Sequence, residues 1–155
     1  GAYSKSQGRI DSIKLARQSE INAEIEKKIE EKLKDYAAEV KTLREQLAIQ
    51  QDIIAMKSLS LKTTAKFSKS GSKRTVKVTW TPSSKISGVK YQLYKSAKKS
   101  AGFKKLTTTS KTVYRDTNGL RKGNTYYYKV RAYKYLKGKY YYSGWSNVRS
   151  CKISK

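Results

Sequence analysis

The 155 residues carry 36 Lys and Arg against 11 Asp and Glu, with no histidine and one cysteine, for a formal net charge of +25. Histidine-activated nucleophiles, histidine-bearing metal sites and an internal disulfide framework are therefore excluded, and stability has to come from apolar packing and strand pairing. No apolar run approaches membrane-spanning length, so no transmembrane helix is expected.

The charge is unevenly placed. Residues 1 to 57 hold 11 of the basic and 10 of the acidic residues, which leaves 25 Lys and Arg after residue 57 against Asp116 alone. This divides the chain into a near-neutral segment, 1–57, and a strongly basic one, 58–155, the latter a candidate for anionic partners. No signal peptide opens the chain. Because Gly1 resembles a residue left by tag removal, a leader removed upstream is the expectation, and localisation has to be read from other features.

Between Gly8 and Gly71 there is no glycine or proline, and the composition favours a helix from about Ile10 to Met56, roughly 70 Å long. Its apolar stripe runs through Ile21, Ile25, Ile29 and Leu33 in steps of four, then Tyr36, Val40, Leu43 and Leu47 in alternating steps of three and four. With Ile54 the second part is a heptad pattern, Leu33, Val40, Leu47 and Ile54 in one core position and Tyr36, Leu43 and Gln50 in the other. The steps of four straighten the supercoil locally. Glu39 and Arg44 fall at flanking positions that pair across a parallel interface. Another copy of the helix is the expected partner, so the chain is read as a homo-oligomer. A helix packed on its own basic segment or on a neighbouring domain is the alternative. Near balance of acids and bases on the polar face argues against a membrane-surface helix.

Leu59, Leu61, Ala65 and Phe67 then share one face of a first strand, reached without a flexible linker. A turn at 68–73 leads to a second strand with Val76, Val78 and Trp80 on one face, ended by Pro82. In the third, Val89, Tyr91 and Leu93 alternate with Lys90, Gln92 and Tyr94. Phe103 and Leu106 flank a short basic strand, and Val113 to Asp116 forms another with Tyr114 inward. Residues Leu120 to Ala132 place Tyr126, Tyr128, Val130 and Ala132 on one face. Leu120, Gly123 and Tyr126 have the spacing of a tyrosine corner, a turn closed by a tyrosine hydroxyl bonded back to the backbone. A last strand is expected over Tyr140 to Ile153, with a bulge or twist between Val148 and Ile153, which fall out of phase. Cys151 reads as a small residue near that strand.

Val78-Thr79-Trp80, Tyr91-x-Leu93-Tyr94, Leu120-x-x-Gly123-x-x-Tyr126-x-Tyr128-x-Val130-x-Ala132 and Tyr142-Ser143-Gly144-Trp145-Ser146 together resemble a fibronectin type III domain. The flavour is that of Lys- and Tyr-rich repeats on bacterial secreted and cell-surface proteins. The resemblance covers about residues 59–155 and leaves the helix out. It implies an all-β immunoglobulin-like sandwich of fibronectin type III topology behind a coiled-coil-like helix. The function it implies is adhesion, spacing or display outside the cell or in its envelope, without catalytic residues or a cofactor. No Arg-Gly-Asp loop is present. Trp145-Ser146 is similar to half of the cytokine-receptor Trp-Ser-x-Trp-Ser box, with Tyr142 in place of the first Trp, a departure that argues against a receptor.

Catalysis has little to draw on, since Asp116 is the only carboxylate side chain of the basic segment. The candidate binding face is the outward side of the strands, Lys90, Tyr94, Tyr127, Lys129, Arg131, Tyr133 and Trp145. Bases interleaved with rings suit a polyanion: an acidic glycan, a wall polymer such as teichoic acid, or, as the alternative function, nucleic acid. A purely structural cation–π ladder is the competing account of the same residues.

Overall fold

A computed structural model describes every residue from Gly1 to Lys155. One helix, α1 (Ala2–Ser58), precedes eight strands: β1 (Leu61–Ser70), β2 (Lys73–Pro82), β3 (Lys90–Ser96), β4 (Lys104–Thr109), β5 (Val113–Asp116), β6 (Thr125–Leu136), β7 (Lys139–Tyr142) and β8 (Arg149–Lys152). Two compact units result, Gly1–Ala48 and Ile49–Lys155.

The first unit is helical from Ala2, eight residues ahead of the expected start at Ile10. Gly8 does not stop it, because one glycine costs only about 1 kcal/mol relative to alanine in a helix interior. Local side-chain bonds bracket the glycine: Ser12 Oγ donates to the Gly8 carbonyl at 2.9 Å and Gln7 Nε2 to Asp11 at 3.2 Å.

In the second unit the last turns of α1 join the β-sheet core. Met56 is fully buried and Ile53 half-buried, while Ile54 points to solvent. Only Leu59 and Ser60 separate helix from strand. The Ser60 N–H donates to Ser83 Oγ at 3.0 Å, and its carbonyl accepts from the Ser83 N–H at 2.8 Å. A Lys134–Asp52 ion pair at 3.0 Å ties the same turns to β6.

The strands form two antiparallel sheets, a three-stranded one in the order β1-β2-β5 and a five-stranded one in the order β4-β3-β6-β7 with β8 also on β6. Their inner faces make a sandwich core from the alternating positions Val76, Val78, Trp80, Tyr91, Leu93, Tyr128, Val130 and Ala132. Trp80 lies edge-on to Tyr91 across the sheets, with ring centroids 5.8 Å apart. Tyr114 packs against this core. The exposed edge of β1 is covered by a side chain: Asn147 Oδ1 accepts from the Thr63 N–H at 2.8 Å and its Nδ2 donates to the Thr63 carbonyl at 3.1 Å. One amide thus imitates a strand rung where an open edge would invite pairing with other chains.

The expected final strand is two strands, and the irregularity is not between Val148 and Ile153. Those residues flank a regular ladder, Arg149 to Lys152 on β6, with Val148 exposed at one end and Ile153 buried at the other. The slips lie upstream. Against β6 the register shifts by one residue between Ser143 and Ser146 and by one more between Ser146 and Arg149. Serine hydroxyls bridge the gap. The Ala132 N–H donates to Ser143 Oγ at 2.8 Å and the Val130 N–H to Ser146 Oγ at 2.9 Å, while each serine N–H donates to the carbonyl of the same β6 residue. Buried backbone donors are thereby satisfied although no regular strand faces them.

Candidate functional site: the outer face of the five-stranded sheet

Period-two alternation puts Tyr127, Lys129, Arg131, Tyr133 and Tyr135 of β6 on the side opposite the core, next to Lys90, Gln92 and Tyr94 of β3. The two register slips place Trp145, between Ser143 and Ser146, over this face. Lys129 Nζ stands 4.2 Å from the Trp145 ring centroid and 4.4 Å from that of Phe103. The Arg131 guanidinium lies 4.1 Å from Tyr142, 4.8 Å from Trp145 and 5.8 Å from Tyr94. Its Nε also donates to Gln92 Oε1 at 2.9 Å. Tyr94 and Trp145 meet edge to face at 4.9 Å.

Of the seven residues expected to form the face, Tyr94, Lys129, Arg131 and Trp145 are thus one ladder. Tyr133 continues it through contacts with Tyr140 and Tyr142. Lys90 and Tyr127 lie on the same face outside these contacts, Lys90 exposed in register with Tyr133. Both cations at the centre are engaged by rings, each contact stabilising by about 0.5–1 kcal/mol at a partly exposed site. The two central cations are therefore held as structure; Trp145, 41% exposed, stays open beside them, and the most exposed rings, Tyr135 and Tyr140, lie at the β6–β7 end.

Sequence reasoning passed over Phe103, Tyr135, Tyr140 and Tyr142 as members of this face. The available signal was Lys137-Gly138, a two-residue hairpin turn that sets Tyr133 opposite Tyr142 and Tyr135 opposite Tyr140.

At the opposite end of β6 the Tyr126 hydroxyl donates to the Gly119 carbonyl at 2.7 Å and accepts from the Arg121 N–H at 3.0 Å. Leu120 is buried beneath this turn. Gly123 has φ +88°, a left-handed conformation that favours glycine, and its N–H donates to the Ile153 carbonyl at 2.7 Å.

A second polar cluster lies beneath. Asp116, 1% exposed, accepts from the Tyr128 hydroxyl at 2.6 Å, from Lys95 Nζ at 2.8 Å and from the Asn118 N–H at 3.1 Å. Lys95 Nζ also donates to the Asn118 carbonyl at 2.7 Å and sits 4.6 Å over the Tyr126 ring. Burial, and then the bond to the Asp116 carboxylate, push the Tyr128 phenol well above its ordinary value. Burial alone raises Tyr91 and is the main cause of the rise at Cys151. The two acids of this unit, Asp52 and Asp116, are both paired with lysines, and nowhere do three metal-ligating side chains gather.

On α1 the stripe residues Ile21, Ile25, Ile29, Leu33, Tyr36, Val40, Leu43, Leu47 and Ile54 are 44–62% exposed. No helix is long and apolar enough to cross a membrane. No protein-family model matches the chain, and no curated protein matches it either.

Proposed function

We propose that the chain is a non-enzymatic adhesion or spacer module of the cell surface or envelope, self-associating through α1 and displaying a basic sandwich related to fibronectin type III domains. The observation that carries this reading is the stripe from Ile21 to Ile54, a line of large apolar side chains about half exposed along the helix and interrupted only by Gln50. Each has about half of the 1.5–3 kcal/mol of full burial still to gain. Over nine residues that is about 7–14 kcal/mol per chain, of the same order as the entropic cost of association. A second copy brings an identical stripe in the same register, and Glu39 with Arg44 favours the parallel arrangement. Parallel assembly gathers the sandwiches and turns weak contacts into avidity.

Support for the sandwich part comes from strand order, with β1, β2 and β5 in one sheet and β4, β3, β6, β7 and β8 in the other, and from the tyrosine that closes the turn before β6. A role outside the cell follows from that resemblance. The test replaces Leu33 and Val40 with Asp. Assembly measured by light scattering is lost, while the β-sheet signal and unfolding midpoint of the sandwich stay in place. Retained assembly in this variant overturns the reading.

A further inference from the structure

Toward the β6–β7 turn the outer ladder ends in four tyrosines, Tyr133 and Tyr135 paired in register with Tyr142 and Tyr140. Their ring centroids are 4.9–6.5 Å apart, and Tyr135 and Tyr140 are each 58% exposed. Lys90 stands beside Tyr133 on β3, and Lys137 forms the tip of the hairpin. Lys137 has φ +41° and Gly138 φ +82°, so a lysine occupies a left-handed turn position where asparagine is the better residue.

We propose that this tyrosine patch, bounded by Lys90 and Lys137, binds a linear polysaccharide bearing carboxylates, a polyuronate. The inference names the ligand of the sandwich displayed in the reading above and rests on it. Charge is the first argument. The unit carries 26 Lys and Arg, and both of its acids are already ion-paired, so no free carboxylate side chain of this unit competes at the patch.

Ring geometry is the second. Three of the neighbouring tyrosine pairs are tilted by 40–58° and only Tyr140 and Tyr142, at 26°, are stacked, so the four rings present no continuous run of parallel planes for successive nucleobases. A pyranose chain asks for less, since its C–H faces rest on tilted rings and its hydroxyls meet the phenol groups. The third argument is extent. Lys90, in register with Tyr133, lies about 13 Å along the strand from Lys137 at about 3.3 Å per residue, a span that suits an extended polymer over one sugar.

The test titrates oligogalacturonate, neutral dextran and oligo(dT) into the full chain carrying Leu33→Asp and Val40→Asp, so that sandwich binding is read apart from assembly. Oligogalacturonate binding that persists at physiological salt, with dextran silent and oligo(dT) weaker, is expected. Tyr135→Ala with Tyr140→Ala then lowers the affinity about tenfold. Lys137→Asn suits the left-handed turn, keeps the hairpin and lowers affinity about threefold, which gives a readout even if the tyrosine variant misfolds. Oligo(dT) binding as tightly as oligogalacturonate, no oligogalacturonate binding, or indifference to Lys137→Asn overturns the proposal. Failure of assembly itself appears separately, as unchanged scattering between the wild type and the Asp variant.

Discussion

Replacing Asp116 with Asn removes one charge and no volume, and the structure places the consequences on three neighbours. The carboxylate serves Tyr128, Lys95 and the Asn118 N–H at 2.6, 2.8 and 3.1 Å. An amide has one oxygen for these donors, and its own N–H₂ must face groups that also donate. Breaking a buried ion pair by removing one partner costs about 3–5 kcal/mol. Lys95 is 14% exposed and keeps the Asn118 carbonyl at 2.7 Å, so the loss is reduced by about 1 kcal/mol from that range, to about 2–4 kcal/mol. Urea unfolding followed by tyrosine and tryptophan fluorescence measures it. The same substitution combined with Lys95→Met isolates the pair, and a coupling energy above about 1 kcal/mol is expected. A single-variant loss below about 1 kcal/mol, or additive behaviour in the pair, refutes the reasoning.

Tyr126→Phe removes two hydrogen bonds whose backbone partners lie in the exposed turn and can turn to water, so it costs about 1–2 kcal/mol in the urea midpoint; an unchanged midpoint contradicts the turn-closing role. Ser146→Ala leaves the fully buried Val130 N–H without an acceptor and costs about 1–3 kcal/mol, and Ser143→Ala does the same at Ala132, both read by thermal unfolding. Alkali weakens the fold, because Tyr128, Tyr91 and Cys151 have raised pKa values and hold their protons in the folded state where the unfolded chain releases them. Their contribution is complete below the ordinary values of 9.0 for the thiol and 10.0 for the phenols and is lost as pH rises. For Tyr128 the slope is about 1.4 kcal/mol per pH unit above 10. Unfolding midpoints for wild type and Tyr128→Phe between pH 9 and 11 isolate it, and equal slopes refute it.

Much of the architecture was legible because it rests on periodicity. Val76-Val78-Trp80 and Tyr126-Tyr128-Val130-Ala132 alternate without interruption, and each set lines the core. The helix was legible from composition, since no glycine or proline falls between Gly8 and Gly71, and its true start was missed only because Gly8 looks like a boundary while costing little within a long helix. The end of the chain resisted reading where side chains replace backbone. Ser143 and Ser146 supply acceptors a regular strand would supply with carbonyls, so three residues there face two on β6 and the alternation fails.

Within the candidate face, Lys129 and Arg131 could be placed by parity, whereas Trp145 depends on the register slips beside it and Tyr140 and Tyr142 on the Lys137-Gly138 hairpin. Asp116 was visible only as a lone carboxylate. Its partner Lys95 lies on another sheet, and no local pattern links the two.

The claim on which the functional account turns is that α1 covers its stripe with copies of itself. Sedimentation equilibrium of the wild-type chain across a range of concentrations, with helicity followed by circular dichroism, addresses it most directly. The account predicts a mass that is an integer multiple, two or more, of 17.7 kDa, with helicity and assembly lost together on dilution. A particle of 17.7 kDa that stays monomeric at high concentration while α1 remains fully helical would contradict it.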